Sequence, residues 1–307
     1  MITTVCMNPS FDKTSMVRCL IPGEVNRLEN TRCDAGGKGL NVSLTLQNLG
    51  VKTTCLGCLG VADETAFHTL LQPVSLCFHS FPLAGKTRTN LKLLDAETGL
   101  VTELNESGPP MDAKQLQRFI SLLQKVAADS TYVVFSGSLP ADCSEDAYQL
   151  CMHALPDKRC ILDASGNPLL LGIQEKPFMV KPNLSELQTV FGKELRTLDG
   201  IRDTAYKLIR DGVQNVIVSM AKDGALFVDA RHAIYAPALQ VTAKSTVGAG
   251  DAMLGGILMG LEKGADMLTS FRYGVAAGAA SVLSEGTQPL QYADFEMLLP
   301  QVTLREI

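Results

Sequence analysis

The sequence has no surplus of positive charge. Its 307 residues carry 27 lysines and arginines against 32 aspartates and glutamates, which gives a formal net charge of -5. No overall positive field would attract nucleic acid or an anionic membrane surface, so we expect neither as a partner. Any anionic ligand must then be held by a local site.

Long hydrophobic runs are also missing. Residues 1–8 contain neither a basic segment nor the extended apolar segment of a secretory signal, and no later stretch is apolar for long enough to span a bilayer. We therefore expect a cytoplasmic protein. The content of 46% hydrophobic and 19% charged residues is typical of a globular protein with a sizeable core.

Clusters of cysteine and histidine with metal-binding spacing are absent from the sequence. The nine cysteines are an odd number and lie mostly in apolar runs, which indicates buried free thiols in a reducing compartment. Cys55 and Cys58 form a C-x-x-C pair, but no second pair follows at metal-binding distance. Because β-type residues surround the pair, a structural strand is favoured over a redox or zinc site.

Short apolar, β-branched runs alternate with longer segments of helical period. This pattern predicts an α/β fold in which helices cover both faces of a mostly parallel sheet. The predicted central strands are residues 2–6, 53–59, 132–135, 160–162, 178–180 and 216–219. The predicted helices are residues 40–49, 112–127, 144–154, 185–191, 200–211, 252–263, 267–283 and 294–299.

Two stretches interrupt the alternation. Residues 13–34 form a long insert before a glycine-rich turn, and residues 86–104 predict a pair of strands joined at residues 95–99. Together they predict a small β-sheet that projects from the body of a single domain, residues 1–307. We expect this sheet to act as a lid that excludes water, and to form the contact of a homodimer.

The segment S-T-V-G-A-G-D-A-M-L-G-G at residues 245–256 carries the clearest chemical signal. Gly248 and Gly250 allow a ligand to approach the backbone closely, and the following helix start offers free N–H groups to an anion. Asp251 is either an ordinary helix cap or a base that takes the proton of a hydroxyl lying in line with a phosphate.

Two common phosphate-binding motifs do not fit this chain. No G-x-x-x-x-G-K-[ST] occurs, which excludes a P-loop. Met253 stands where the dinucleotide fingerprint requires its third glycine, which excludes a Rossmann cofactor site at this position.

The segment G-A-G-D at residues 248–251 and the earlier G-G-K-G-L-N at residues 36–41 resemble the two signatures of the ribokinase-like, or PfkB, carbohydrate kinases. The resemblance extends from N-P-S-F-D at residues 8–12 to residues 284–286. It implies a ribokinase-like three-layer α/β/α fold with a β-sheet lid, ATP as phosphoryl donor and Mg2+ as cofactor. It also implies that Asp251 is the catalytic base. The implied anion hole consists of Gly248, Ala249 and Gly250.

Residues 87–93, T-R-T-N-L-K-L, predict a strand with Arg88, Asn90 and Lys92 on one face. This face suits an anion, since an arginine offers a fork of donors and Lys38 adds a point charge from across the lid. A solvated edge strand is the alternative interpretation of the same charges. Together with T-E-x-N-x-x-G-P downstream, the run resembles the 1-phosphofructokinase branch of the family, to which tagatose-6-phosphate kinases are close.

The resemblance also implies which residues bind the acceptor sugar. Asp12 would orient sugar hydroxyls, Arg88 would bind the sugar's phosphate, and Ser138 would reach the phosphate or the sugar. The remaining implied acceptor-binding residues are Gly37, Lys38, Asn41 and Asn90.

The donor site rests on K-P-N-L-S-E at residues 181–186. Asn183 and Glu186 are three residues apart, which is the spacing of an ordinary capping box. The resemblance instead implies that they help to hold hydrated Mg2+, Asn183 through water, with Lys181 near the ATP phosphates. The nucleotide-binding residues that it further implies are Ser219, Gly224 and Ser284.

The implied activity is transfer of the γ-phosphoryl group of ATP to fructose 1-phosphate, giving fructose 1,6-bisphosphate. Tagatose-6-phosphate kinase is the alternative. A non-catalytic sensor of sugar phosphate or nucleotide would need neither Asp251 nor the Asn183 and Glu186 pair. A nucleoside kinase would gain nothing from a cationic face beside a neutral nucleoside.

Overall fold

The computed structural model describes residues 1–284 and 288–307, so residues 285 and 286, the end of the resemblance noted above, lie outside the described residues. The strands are β1 (Ile2–Cys6), β2 (Ser10–Val17), β3 (Glu29–Gly36), β4 (Thr53–Gly60), β5 (Cys77–Leu83), β6 (Arg88–Asp95), β7 (Val101–Asn105), β8 (Tyr132–Ser136), β9 (Arg159–Asp163), β10 (Met179–Val180), β11 (Asn215–Ser219), β12 (Ala225–Val228), β13 (Ala233–Ala236) and β14 (Arg305–Glu306). The helices are α1 (Lys38–Asn48), α2 (Glu64–Leu71), α3 (Ala113–Val126), α4 (Ala147–His153), α5 (Gly166–Ile173), α6 (Leu184–Phe191), α7 (Leu198–Arg210), α8 (Ala249–Glu262), α9 (Met267–Ser281) and α10 (Tyr292–Leu298).

The main sheet has ten strands in the order β14-β13-β12-β11-β10-β9-β8-β1-β4-β5. The strands from β11 to β5 pair in parallel, whereas β12, β13 and β14 extend one edge by antiparallel pairing. Helices α3 to α7 pack on one face, and α1, α8, α9 and α10 pack on the other. Strand β8 is buried along its whole length because both faces are covered. The predicted ribokinase-like α/β/α fold is confirmed.

A second sheet of four strands has the order β3-β2-β6-β7. Strands β2 and β6 pair in parallel, and the outer pairs β2/β3 and β6/β7 are antiparallel. The strand pair predicted for residues 86–104 is therefore present as β6 and β7. Strand β6 lies between β2 and β7, so the interpretation of its charges as those of an edge strand is wrong.

All the predicted strands and helices are present, and the ends of all but β1 are shifted. Strands β5, β12, β13 and β14 and helices α2 and α5 were not predicted. Helix α5 reads G-N-P-L-L-L-G-I, whose glycines and proline resemble a loop, although the helix buries Leu169 and Ile173. Helix α2 has only eight residues, which is too short for a clear period. That residues 1–307 form a single domain stays a prediction.

The C-x-x-C pair lies within β4, and Cys55 and Cys58 are both buried. The prediction of a structural strand is confirmed. All nine cysteines are free thiols. Among residues 1–284 and 288–307, no helix has the length and apolar character needed to cross a membrane.

Candidate active site

Polar side chains converge where the carboxyl ends of the parallel strands meet the first turns of three helices. Asp163 ends β9, and Lys181 directly follows β10. Lys38 begins α1, Asn183 precedes α6, and Asp251 lies in the first turn of α8. This edge is where open α/β sheets bind their ligands.

Asp251 is a buried carboxylate, 5% exposed, with one side-chain partner recorded in the described residues. Asn41 Nδ2 of α1 donates to Asp251 Oδ2 over 2.8 Å. Burial first, and then the charge of Asp163, raises the pKa of Asp251 to about 6. Gly248 occupies the N-cap of α8 at φ 81°, without a side-chain cap. The interpretation of Asp251 as an ordinary cap is therefore wrong, and its raised pKa suits a base that works near neutral pH.

The start of α8 is open to a ligand because of its glycines. A side chain added at Gly250 would meet Lys181 Nζ at 3.2 Å. Gly248, Ala249 and Gly250 thus bring the positive end of the α8 dipole beside an ammonium group. This combination stabilises an anion between them.

Asp163 was not predicted as a site residue, yet it is central to this cluster. It is 1% exposed, and its Oδ1 lies 3.1 Å from Lys181 Nζ and 3.8 Å from Lys38 Nζ. Ser136 Oγ donates to Oδ2 over 2.9 Å. Burial alone would raise the pKa of Asp163, but the two lysines outweigh it and hold that pKa below its ordinary value. The available signal was an acidic residue at the carboxyl end of a predicted parallel strand.

Asn183 and Glu186 form the capping box of α6. Asn183 Oδ1 accepts from the amide of Glu186 over 2.8 Å, and Glu186 Oε2 accepts from the amide of Asn183 over 2.9 Å. The capping interpretation is confirmed. Glu186 Oε1 is not used in the cap and lies 3.8 Å from Lys38 Nζ. The second oxygen of Glu186 therefore faces the same cluster as Asp163.

The Lys38 ammonium group lies near the carboxylates of Asp163 and Glu186, on the predicted donor side of the site. Asp163 first, and then Asp251, raises the pKa of Lys38 against the opposing effect of burial. Gly37 caps α1 at φ 122°, where a side chain would come within 2.6 Å of Cys6 Sγ. The glycine therefore allows the first turn of α1 to lie against β1, which brings Lys38 to the carboxylates.

On the small sheet, Asp12 of β2 gathers the polar side chains. Its Oδ1 accepts from Ser10 Oγ over 2.7 Å and from Asn90 Nδ2 over 3.1 Å. Its Oδ2 accepts from Lys92 Nζ over 3.1 Å. The prediction that one face of β6 carries Asn90 and Lys92 together is confirmed, but the Lys92 charge is paired with Asp12 and is not open to a ligand.

Arg88 and Ser138 meet around Asn8, a buried residue that follows β1. Arg88 Nε donates to the Asn8 carbonyl over 3.1 Å. Asn8 Nδ2 lies 3.1 Å from Ser138 Oγ and 3.0 Å from the Leu139 carbonyl. Burial lowers the pKa of Arg88 from its ordinary value, which is far above neutrality. The structure thus brings a cation of the small sheet beside a hydroxyl of the main body.

A cavity of about 780 Å³ opens between α6, β11, α8 and α9. Asn183, Ser219 and Gly224, which were predicted to bind the nucleotide, line it together with Gly250, whereas Lys181 does not. Ser284 does not line it, and its hydroxyl donates to the carbonyl of Pro289. Aliphatic side chains that were not predicted also line it: Met220, Leu239, Val241, Met253, Val275 and Val282. Their spacing in sequence shows no period, so only the fold brings them together.

The fold, the buried carboxylate and the adjoining cavity are those of a kinase that phosphorylates an alcohol. Residues 5–292 match the model of the pfkB family of carbohydrate kinases, and the chain belongs to this family. The family predicted from the glycine-rich segments is confirmed. Kinases of this family take their phosphoryl group from ATP.

Relatives of this chain include 1-phosphofructokinases. It is 33% identical over 309 residues to the 1-phosphofructokinase of Bacillus subtilis, with 100% of both chains covered. It is 38% identical over 264 residues to that of Xanthomonas campestris pv. campestris, with 84% of this chain and 83% of the relative covered. The crystal structure of phosphofructokinase-2 from Escherichia coli in complex with fructose-6-phosphate superposes with a TM-score of 0.88, at 26% identity over 98% of each chain.

Proposed function

We propose that this chain transfers the γ-phosphoryl group of ATP to the free primary hydroxyl of fructose 1-phosphate, giving fructose 1,6-bisphosphate and ADP. The observation that carries this proposal is the position of Asp251. It lies next to Gly250, which lines the nucleotide-sized cavity, and it accepts a hydrogen bond from Asn41 of α1, the helix that follows strand β3 of the small sheet. This position supports a role for its carboxylate between the donor and the acceptor.

The reaction needs no covalent intermediate on the protein. The acceptor oxygen forms a bond to the γ-phosphorus as the bond to the ADP oxygen breaks, and Asp251 accepts the hydroxyl proton. Lys181 and the backbone at the start of α8 face the charge that spreads over the transferred group. Because a sugar alcohol is a very weak acid, positioning and charge stabilisation supply most of the acceleration.

The residues present fit a hydrated Mg2+ ion. Asp163 Oδ1 is buried and lies 3.1 Å from Lys181 Nζ, but this oxygen receives no aligned hydrogen bond from the residues that the structure describes. Glu186 Oε1 is free of the α6 cap. Carboxylate oxygens and water are the ligands that Mg2+ prefers, and bound Mg2+ would neutralise phosphate charge. We propose Glu186 as its main holder, with Asn183 acting only through water because its Oδ1 serves the cap.

On the acceptor side, Arg88 would bind the existing phosphate and Ser138 would donate to the same group or to the sugar. Asp12 and Asn90 would orient sugar hydroxyls from the small sheet, with Gly37 and Asn41 at the sugar from α1. Both 1-phosphofructokinase relatives support the choice of fructose 1-phosphate. The Escherichia coli relative binds fructose-6-phosphate, which makes that sugar the competing acceptor.

A coupled ADP-release assay tests the proposal with fructose 1-phosphate, tagatose 6-phosphate, fructose 6-phosphate and free fructose. We expect the highest kcat/KM for fructose 1-phosphate, and 31P NMR should identify the product as the bisphosphate. If the enzyme prefers another phosphosugar, that sugar replaces fructose 1-phosphate as the proposed acceptor. Binding of ATP and sugar without any ADP release would overturn the proposal in favour of a sensor.

We further propose that the small sheet forms a homodimer with the sheet of a second copy. Seven of the twelve exposed large hydrophobic side chains in residues 1–284 and 288–307 belong to this sheet or its loops: Ile21, Val25, Leu28, Leu94, Leu100, Val101 and Leu104. Such a concentration on one element marks an interaction surface. Leu104→Asp should convert the dimer into a monomer, and light scattering would measure the change in mass. Leu170→Asp, on exposed α5, should not, and a monomeric parent would contradict the idea.

A further inference from the structure

Lys92 is a buried cation to which the proposed reaction assigns no contact. It lies on β6, two residues beyond Asn90, and it is 6% exposed. Its Nζ lies 3.1 Å from Asp12 Oδ2, and Asp12 is itself only 4% exposed. A lysine is rarely buried to this extent unless it is paired.

The pair leaves Asp12 no freedom to turn. Ser10 and Asn90 hold one carboxylate oxygen, and Lys92 holds the other. On the remaining side, Gly36 lies so close that a Cβ atom there would come within 2.4 Å of Asp12 Cγ. Lys92 therefore completes a frame that fixes the orientation of the carboxylate.

The same pair sets the charge of the acceptor site. Asp12 and Arg88 lie on paired strands, because Asp12 is opposite Asn90, two residues from Arg88. Burial lowers the pKa of Arg88, and Asp12, after Cys6, opposes that lowering. An unbalanced carboxylate at this place would offset the arginine's charge and repel an anionic acceptor. With Lys92 cancelling Asp12, the positive charge of Arg88 stays available to a phosphate.

We propose that Lys92 is a positioning residue that makes the acceptor site selective for a phosphorylated sugar. It does so through Asp12, which it orients and neutralises, and it does not touch the sugar. This inference rests on the proposed function, and it adds a determinant of the preference for phosphosugars over free sugars.

A double-mutant cycle tests the inference, with Lys92→Met, Asp12→Asn and the combined variant. Lys92→Met should raise the KM for fructose 1-phosphate by at least about tenfold, leave the KM for ATP within about twofold, and narrow the preference for fructose 1-phosphate over free fructose. In the Asp12→Asn background, the same replacement should change the KM less than about threefold. Lys125→Met, an exposed lysine on α3, serves as the control for loss of a positive charge.

Two results would overturn the inference. If Lys92→Met raises the KM for fructose 1-phosphate equally in the parent and in the Asp12→Asn variant, Lys92 acts on the phosphate directly. If Lys92→Met weakens the use of phosphorylated and free sugars equally, the role of Lys92 is purely structural. Since Lys92→Met leaves a buried carboxylate unpaired, its thermal unfolding is measured beside that of Lys92→Arg and the combined neutral variant. If Lys92→Met does not fold, Lys92→Gln, which removes the charge but can still donate a hydrogen bond to Asp12, takes its place in the cycle.

The substrate preference of the parent enzyme shows whether the proposed acceptor or the inference about Lys92 has failed. If the parent prefers another phosphosugar, the choice of fructose 1-phosphate fails, and the cycle is repeated with the preferred phosphosugar. If the parent prefers an unphosphorylated sugar, the inference about Lys92 fails as well.

Discussion

Replacing Asp251 by asparagine should stabilise the protein while removing most of its activity. The pKa of Asp251 is raised from 3.8 to about 6, chiefly by burial and then by Asp163. Above pH 6 the folded protein must ionise a carboxyl group that resists ionisation, and the unfolded chain does so freely. The gap between 3.8 and about 6 corresponds to about 3 kcal/mol at pH 7.

The pH dependence of this stabilisation has a definite sign. Between 3.8 and about 6 the folded state binds more protons at Asp251 than the unfolded state, so this residue destabilises the protein increasingly as the pH rises. The advantage of Asp251→Asn should fall from about 3 kcal/mol at pH 7 to about half that at pH 5, and vanish below the unfolded pKa. Asparagine keeps an oxygen that can accept from Asn41 Nδ2, so the hydrogen bond remains.

Urea unfolding of parent and variant at pH 7 and pH 5 measures the effect. Asp266→Asn is the matched control: this exposed N-cap accepts from the amide of Thr269, which lowers the pKa of Asp266. Its replacement should destabilise the protein slightly at pH 7, the opposite sign. A less stable Asp251→Asn variant, or an advantage that grows toward pH 5, would refute the reasoning.

The same variant should lose about two to four decades in kcat, because the hydroxyl proton has no acceptor. The KM for ATP should change little, since the cavity walls are untouched. In the parent, kcat/KM should fall as the pH drops through about 6, because protonated Asp251 cannot act as a base. Near-normal turnover by Asp251→Asn would remove this residue from the mechanism.

Two further substitutions separate the acceptor side from the donor side. Arg88→Ala should raise the KM for the phosphosugar about 10 to 100-fold through loss of a charged hydrogen bond, with the KM for ATP unchanged; equal effects on both substrates would contradict the assignment. Asp163→Asn should move the acidic limb of the pH profile of kcat/KM to lower pH, because the Asp163 charge contributes after burial to the raised pKa of Asp251. An unmoved limb would show that the two carboxylates do not interact.

The sequence was most informative where function is written into a short segment. Residues 248–251 predicted glycines and a carboxylate at the start of a helix, and the structure has them there, although α8 begins at Ala249, three residues before the predicted start. Arg88, Asn90 and Lys92 were predicted to share one face of a strand, and strict alternation places them there. Local rules sufficed because one element fixes each of these arrangements.

Contacts between distant segments were beyond the sequence pattern. Asp163 meets Lys181 and Lys38 through three different elements, and nothing near Asp163 in sequence announces those partners. Lys92 was expected to stand open to a ligand because its own strand does not reveal Asp12 on the neighbouring strand. Only the pairing of β2 with β6 turns an exposed cation into half of a buried ion pair.

Helices α1 and α8 touch through a residue that has no side chain. One helical turn beyond Asn41 and Asp251, the same two faces meet at Thr45 and Gly255, where a Cβ would lie 2.5 Å from the threonine methyl group. A single methyl group there would wedge the two helices apart and carry the carboxylate away from its amide. The position of the proposed base is thus set by a glycine that is buried in the core and does not line the cavity, so a substitution outside the binding pocket would be enough to inactivate the protein.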